Sequence, residues 1–115
     1  MMAGRPLVIG LTICEDVLTE PQTRRVSIIR SFSGGTVATF PGALAPFRVF
    51  APVTGVEGPV DFAIVVESSE EDLQEIYRFV GRFEAADRLG VVNLSVRIAA
   101  CVFPGPGRYV FYLLS

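Results

Sequence analysis

Apolar and polar residues alternate along most of this chain, most strongly in two runs near its end. Val91 to Leu114 reads as two alternating stretches joined by Pro104-Gly105-Pro106-Gly107. Val92, Leu94, Val96, Ile98, Ala100 and Val102 form one unbroken apolar set, with Asn93, Ser95 and Arg97 on the wetter side. Tyr109, Phe111 and Leu113 alternate with Val110, Tyr112 and Leu114. Proline presets φ and glycine reaches positive φ, so the intervening tetrapeptide predicts a turn. The expectation is a long antiparallel hairpin at the centre of a sheet, its second strand rich in aromatic side chains.

The same period of two predicts further strands upstream. Leu7–Asp16 alternates, with Leu7, Ile9, Leu11 and Ile13 on one side and Val8, Gly10, Thr12 and Cys14 on the other. Arg25–Phe32 follows a turn at 19–23, with Val26, Ile28 and Phe32 inward. Arg30 shares that inward parity, which a place near the sheet edge accommodates, because an arginine stem can lie on apolar surface while its head stays wet. Residues 33–46 carry Gly34-Gly35, Pro41-Gly42 and Pro46, and predict a loop lying across the sheet on Val37, Phe40 and Leu44. Phe47–Thr54 is a strand whose Pro52 lacks a donor, which predicts an edge or a bulge. Val60–Glu67 is nearly all apolar and predicts a central strand.

Ser68–Leu89 carries two competing patterns. Ser68 with Glu71 fits a capping box, and Leu73, Ile76, Tyr77, Val80 and Phe83 fit helical spacing, with Gly90 as a stop. Against a helix, Tyr77, Phe79 and Phe83 share one strand parity, and Gly81 costs a helix interior about 1 kcal/mol relative to alanine. Short strands between Pro/Gly turns predict an all-β, antiparallel two-sheet sandwich, immunoglobulin-like or similar, of about seven strands. The alternative is α+β with one helix at 69–89.

Composition narrows the function more than it names it. With 115 residues the chain is expected to form one domain, 1–115, around one core. Half of it is hydrophobic, yet no apolar run reaches the roughly 18 residues of a membrane helix. The short N-terminus lacks the apolar stretch of a signal peptide, so a cytoplasmic protein with reduced cysteines is expected. The net charge is −2, and all ten cations are arginines with no cluster larger than Arg24-Arg25, so neither nucleic acid nor membrane is expected as a partner. There is no histidine, the commonest general base and neutral metal ligand.

The remaining candidates for chemistry read as structure. Cys14 and Cys101 sit on the less apolar parity of their strands and predict small, buried or half-buried thiols; a zinc site would need Glu15 or Asp16 as further ligands. Glu15 and Asp16 point to opposite faces of a strand and form no acid–base pair. Glu67, Glu70, Glu71, Asp72 and Glu75 lack the spacing of a calcium loop. Ser31, Ser33 and Ser95 have no base to activate them. No cofactor and no enzymatic activity are expected. Arg78, Arg82 and Arg97 with Tyr77, Phe79 and Tyr112 could instead form an arginine–aromatic patch, a composition favoured at protein interfaces.

Ile13-Cys14-Glu15-Asp16, Val26-Ser27-Ile28-Ile29 and the segment Phe103-Pro104-Gly105-Pro106-Gly107-Arg108-Tyr109-Val110-Phe111 together resemble an uncharacterised bacterial family. Its members are small single-domain proteins known only as a domain of unknown function, and the resemblance implies a β-sandwich. It implies a strand followed by a loop at Leu73–Phe83. In that family the pattern continues past the aromatic strand into a polar turn and one last strand, whereas this chain stops at Ser115. The resemblance brings no catalytic residues.

Two functions follow as expectations. The first is a non-catalytic protein-interaction module that self-associates into a homo-oligomer through an exposed sheet edge or apolar face. Its interface is expected to use Tyr109, Phe111, Tyr112, Leu114, Arg78, Arg82 and Arg97. The second is a small-ligand-binding sandwich with its site between loop 33–46 and turn 104–107, using Phe40, Arg48 and Arg108.

Overall fold

A computed structural model describes residues 7–8, 10–69 and 74–115, and among these there is no helix. The strands are β1 (Leu7–Val8), β2 (Thr12–Thr19), β3 (Val26–Ser31), β4 (Gly42–Ala43), β5 (Phe47–Thr54), β6 (Gly58–Ser68), β7 (Glu75–Ala85), β8 (Val91–Ile98), β9 (Val102–Phe103) and β10 (Tyr109–Leu114). Seven of these have six residues or more, and β1, β4 and β9 are two-residue pairings. The all-β antiparallel expectation therefore holds, and the α+β alternative does not. Tyr77, Phe79 and Phe83 turn inward from a strand, and the expected cap, Ser68, ends β6 instead, while its capping-box partner Glu71 lies outside the described residues.

The first sheet is built on β5. It pairs along its full length with β8, from Phe47↔Ile98 to Thr54↔Val91. Its other edge is shared by β2, over Thr12↔Phe50 to Cys14↔Arg48, and β1, over Leu7↔Thr54 and Val8↔Val53. Pro52 falls in the interval between these two partners. β5 is thus central: of the edge or bulge that Pro52 suggested, the edge does not hold, while the register slips by one residue between Val8↔Val53 and Thr12↔Phe50. Proline, which lacks a donor, is tolerated at such bulged positions.

The second sheet has the order β10-β6-β7, with β6 central as expected from its apolar run. The small β4–β9 sheet, Gly42↔Phe103 and Ala43↔Val102, ties loop 33–46 to the segment after β8. Between the two main sheets lies one apolar core. Phe47, Val49, Val53, Leu94, Val96 and Ile98 meet Phe62, Ile64 and Val66, with Cys101 and Phe103 closing one end.

Three sequence expectations need correction. Val91–Leu114 is not a hairpin: β8 pairs with β5 in the first sheet, and β10 pairs with β6 in the second. The Pro/Gly segment carries the chain across the core from sheet to sheet. The apolar set of β8 also breaks after Ile98: Ala100 and Val102 are exposed, and Cys101 and Phe103 take the interior. Cys101, expected on the wetter side, is therefore 1% exposed within the core. Cys14, placed on that same parity, is 0% exposed.

β2 and β3 form a hairpin that outruns the sandwich. Beyond Cys14, β2 pairs only with β3. No residue of this outer part is fully buried, and Leu18 and Ile28 stand out exposed. Arg30 adopts φ 51° there and meets Glu15 at 3.4 Å, both largely in solvent, as its edge position predicted.

Candidate binding cleft and sheet edge

β10 pairs with β6 on one side and with no described strand on the other. The phase of its hydrogen bonds follows from Ser69, whose N–H donates to the Arg108 carbonyl at 3.0 Å, while the next residue, Ser68, donates away to Gln74 at 2.8 Å. Antiparallel ladders alternate bonded and non-bonded pairs. The backbone groups of Val110, Tyr112 and Leu114 therefore turn to β6. Those of Tyr109, Phe111 and Leu113 turn to the open side.

The side chains of these last three residues point the other way from the solvent, into the core. Phe111 meets Phe47 edge-on at 5.9 Å, and Phe47 meets Phe32 at 5.8 Å. Beside β10 runs a groove floored by Leu11, Ile13 and Phe32, the partly covered inner face of β2 and the end of β3.

Toward the start of β10 the groove deepens into a cleft of about 700 Å³ between loop 33–46 and turn 104–107. Val37, Phe40 and Leu44 supply one wall, and Phe103, Tyr109 and Phe111 the other. The walls are held by local constraints. Gly42 sits so close to the Thr39 carbonyl and Val37 that a Cβ there would collide with both. Tyr109 packs edge-on against Phe103 at 4.8 Å and donates its hydroxyl to the Gly105 carbonyl at 2.5 Å. The Ser69 hydroxyl is engaged by the Arg108 carbonyl at 3.0 Å.

Among the described residues Arg108 is the one charged side chain lining the cleft, and it forms no ion pair with any of them. Arg48, expected here, lies elsewhere. It is on the outer face of the first sheet, bound to Asp16 at 3.2 Å and Ser95 at 3.3 Å.

The outer face of the second sheet gathers four of the seven expected interface residues. Cross-strand rows run Tyr112–Val65–Arg78 and Leu114–Ala63–Val80, with Asp61–Arg82 beyond. Val65 is 0% exposed on this outward face, covered by the side chains beside it. Arg78 is clamped by Glu75 at 2.6 Å and Arg82 by Asp61 at 2.7 Å, and each arginine holds its carboxylate partner below the ordinary range. The Tyr112 hydroxyl donates to Glu67, which raises its pKa. Tyr109 and Phe111 are not on this face, because they point into the core. Arg97 is not either: it sits on the first sheet opposite Arg48. Sequence reasoning missed Val80, which is 68% exposed, because helical spacing had assigned it inward.

The thiols offer no activated nucleophile. Burial pushes Cys101 up to about 11, and burial is also the main cause raising Cys14, with Asp16 adding to it. Among the described residues, no three metal-binding side chains gather in one place, and no helix is long and apolar enough to cross a membrane. No protein-family model, curated protein or solved structure matches this chain.

Proposed function

We propose that the protein is a non-catalytic cytoplasmic interaction module that self-associates, one copy adding an extended segment along the open side of β10 of another. The observation that carries this reading is the pairing of that open edge with an apolar groove. Tyr109, Phe111 and Leu113 present outward backbone donors and acceptors that pair with no described residue, and Leu11, Ile13 and Phe32 lie beside them. An added strand gains main-chain hydrogen bonds from the edge and side-chain burial from the groove. Unprotected edges of this kind are otherwise sites of uncontrolled pairing. The protruding β2–β3 hairpin is the segment of a second copy best suited to the role, with Leu18 and Ile28 uncovered in the single chain. The patch around Tyr112, Leu114, Arg78 and Arg82 continues from β10 and would flank such a contact. The resemblance to an uncharacterised bacterial family adds no activity to this reading.

Light scattering or sedimentation at micromolar concentration tests it. The wild type should run at a multiple of its 12.5 kDa chain mass. Leu113→Pro removes a donor facing the open side and none that faces β6, so the folded sheet should persist while association weakens. A wild type that stays monomeric refutes the proposal, as does a folded L113P variant that associates as the wild type does.

A further inference from the structure

Independently of self-association, we infer that the cleft between loop 33–46 and turn 104–107 binds a carboxylate that carries an apolar body, a fatty or arylalkanoic acid. Its volume of about 700 Å³ falls in the ~300–1,000 Å³ range of small-molecule sites. Its walls are apolar: Val37, Leu44 and Phe103 line it with Phe40, which is 43% exposed to it and to solvent. A large aromatic ring left open beside a cleft loses contact with water when an apolar ligand enters, which favours binding in proportion to the apolar area covered.

The polar groups decide the ligand's charge. Of the three hydroxyls among the lining residues, those of Tyr109 and Ser69 are already committed to backbone carbonyls, which leaves Ser33 as a hydrogen-bond partner open to a neutral or an anionic ligand alike. Among the described residues no aspartate or glutamate lines the cleft, and the one charged lining side chain, Arg108, has no ionic partner. A guanidinium offers a planar fork of donors that matches the two oxygens of a carboxylate. A cationic ligand would meet the like charge of Arg108, and a neutral one would leave that charge unused. The cleft walls are fixed by Gly42 and by the β4–β9 pairing, so the site exists before the ligand arrives.

Isothermal titration with decanoate, decanol and decyltrimethylammonium, each below its aggregation limit, tests the assignment. Decanoate should bind best, decanol roughly ten-fold or more weakly, and the ammonium not measurably. Arg108→Gln should lower decanoate affinity by a similar factor and leave decanol unchanged. Phe40→Ala, at a half-open ring that can be truncated without emptying the core, should weaken both. Equal binding of acid and alcohol, or an R108Q variant that binds decanoate as the wild type does, overturns the inference. So does binding to anionic phospholipid vesicles without binding of free decanoate. The same titration on L113P separates the two proposals: decanoate binding there should persist whether or not the copies part, because Leu113 lies outside the cleft.

Discussion

Gly81 lies opposite Phe62 in the β6–β7 ladder, and the ring of Phe62 rests on it. A Cβ at position 81 would stand 2.9 Å from both Cε1 and Cζ of Phe62 and 3.0 Å from Cε1 of Phe79. Both rings are constrained. Phe62 is 7% exposed and is flanked by Phe79 at 6.1 Å and Phe83 at 5.8 Å between centroids. Gly81→Ala must therefore push aromatic rings inside a packed layer, a change that costs about 1–3 kcal/mol. Gly81 is not held at positive φ, so alanine brings no backbone strain and recovers about 0.4–1 kcal/mol through the less flexible unfolded chain. The net expectation is a loss of about 1–2 kcal/mol, or roughly 5–10 °C in Tm for a domain of this size. Thermal and urea unfolding followed by circular dichroism measure it. In the Phe62→Leu background the added methyl has room, so the cost of G81A should vanish, giving a coupling of at least ~1 kcal/mol in the double-mutant cycle. A G81A variant as stable as the wild type, or costs that simply add, would refute the account of Phe62 as the group that requires glycine.

Three further outcomes follow from the same packing. Val65→Lys should cost more than ~3 kcal/mol, because it buries an unpaired cation under Tyr112 and Arg78, whereas Val80→Lys, one cross-strand row away and open to solvent, should stay within ~0.5 kcal/mol; urea midpoints compare them. Cys101 keeps its proton to about pH 11 in the folded state while the unfolded thiol ionises near 9.0, so the unfolded chain binds fewer protons in that window and stability must fall as pH rises through it. The loss, at most about 2–3 kcal/mol, should be missing from Cys101→Ala in urea titrations between pH 8 and 11, and equal slopes for the two proteins would contradict the burial. Trypsin should cut first at Arg24 and Arg25, at the tip of the unsupported β2–β3 hairpin, with mass spectrometry reading the order of cleavage; early cuts at Arg48 in β5 would contradict the assigned core.

Much of the fold was legible because most strands obey a rule that is purely local. β8 alternates cleanly from Val91 to Ile98, and β6 is apolar on both faces because its inner face meets the core and its outer face lies under Tyr112 and Arg78. The helical reading of 69–89 failed for a reason equally local. Tyr77, Phe79 and Phe83 satisfy a period of two, Ile76 and Val80 a looser period near four, and only Gly81 separates them. A glycine is a cost in a helix but a seat for Phe62 in a sheet. The sign of its contribution depends on a residue nineteen positions away, which no window along the chain contains.

The same limit explains the misplaced hairpin and locates the candidate site. Pro104–Gly107 turns the chain whether the flanking strands pair or part, so Val91–Leu114 reads identically in both cases. What decides is competition for partners. β8 finds the full length of β5, and β10 finds β6, whose other edge is already occupied by β7. Had β10 bridged β8 and β6, Tyr109, Phe111 and Leu113 would have lain inside a sheet with their backbone satisfied on both sides. By parting, they leave β10 with one neighbour and place its start against loop 33–46. The open edge and the cleft are thus two consequences of one crossing. The residues expected at the interface divide as that crossing dictates: Tyr112 and Leu114 face outward beside Arg78 and Arg82, while Tyr109 and Phe111 close the core and line the cleft.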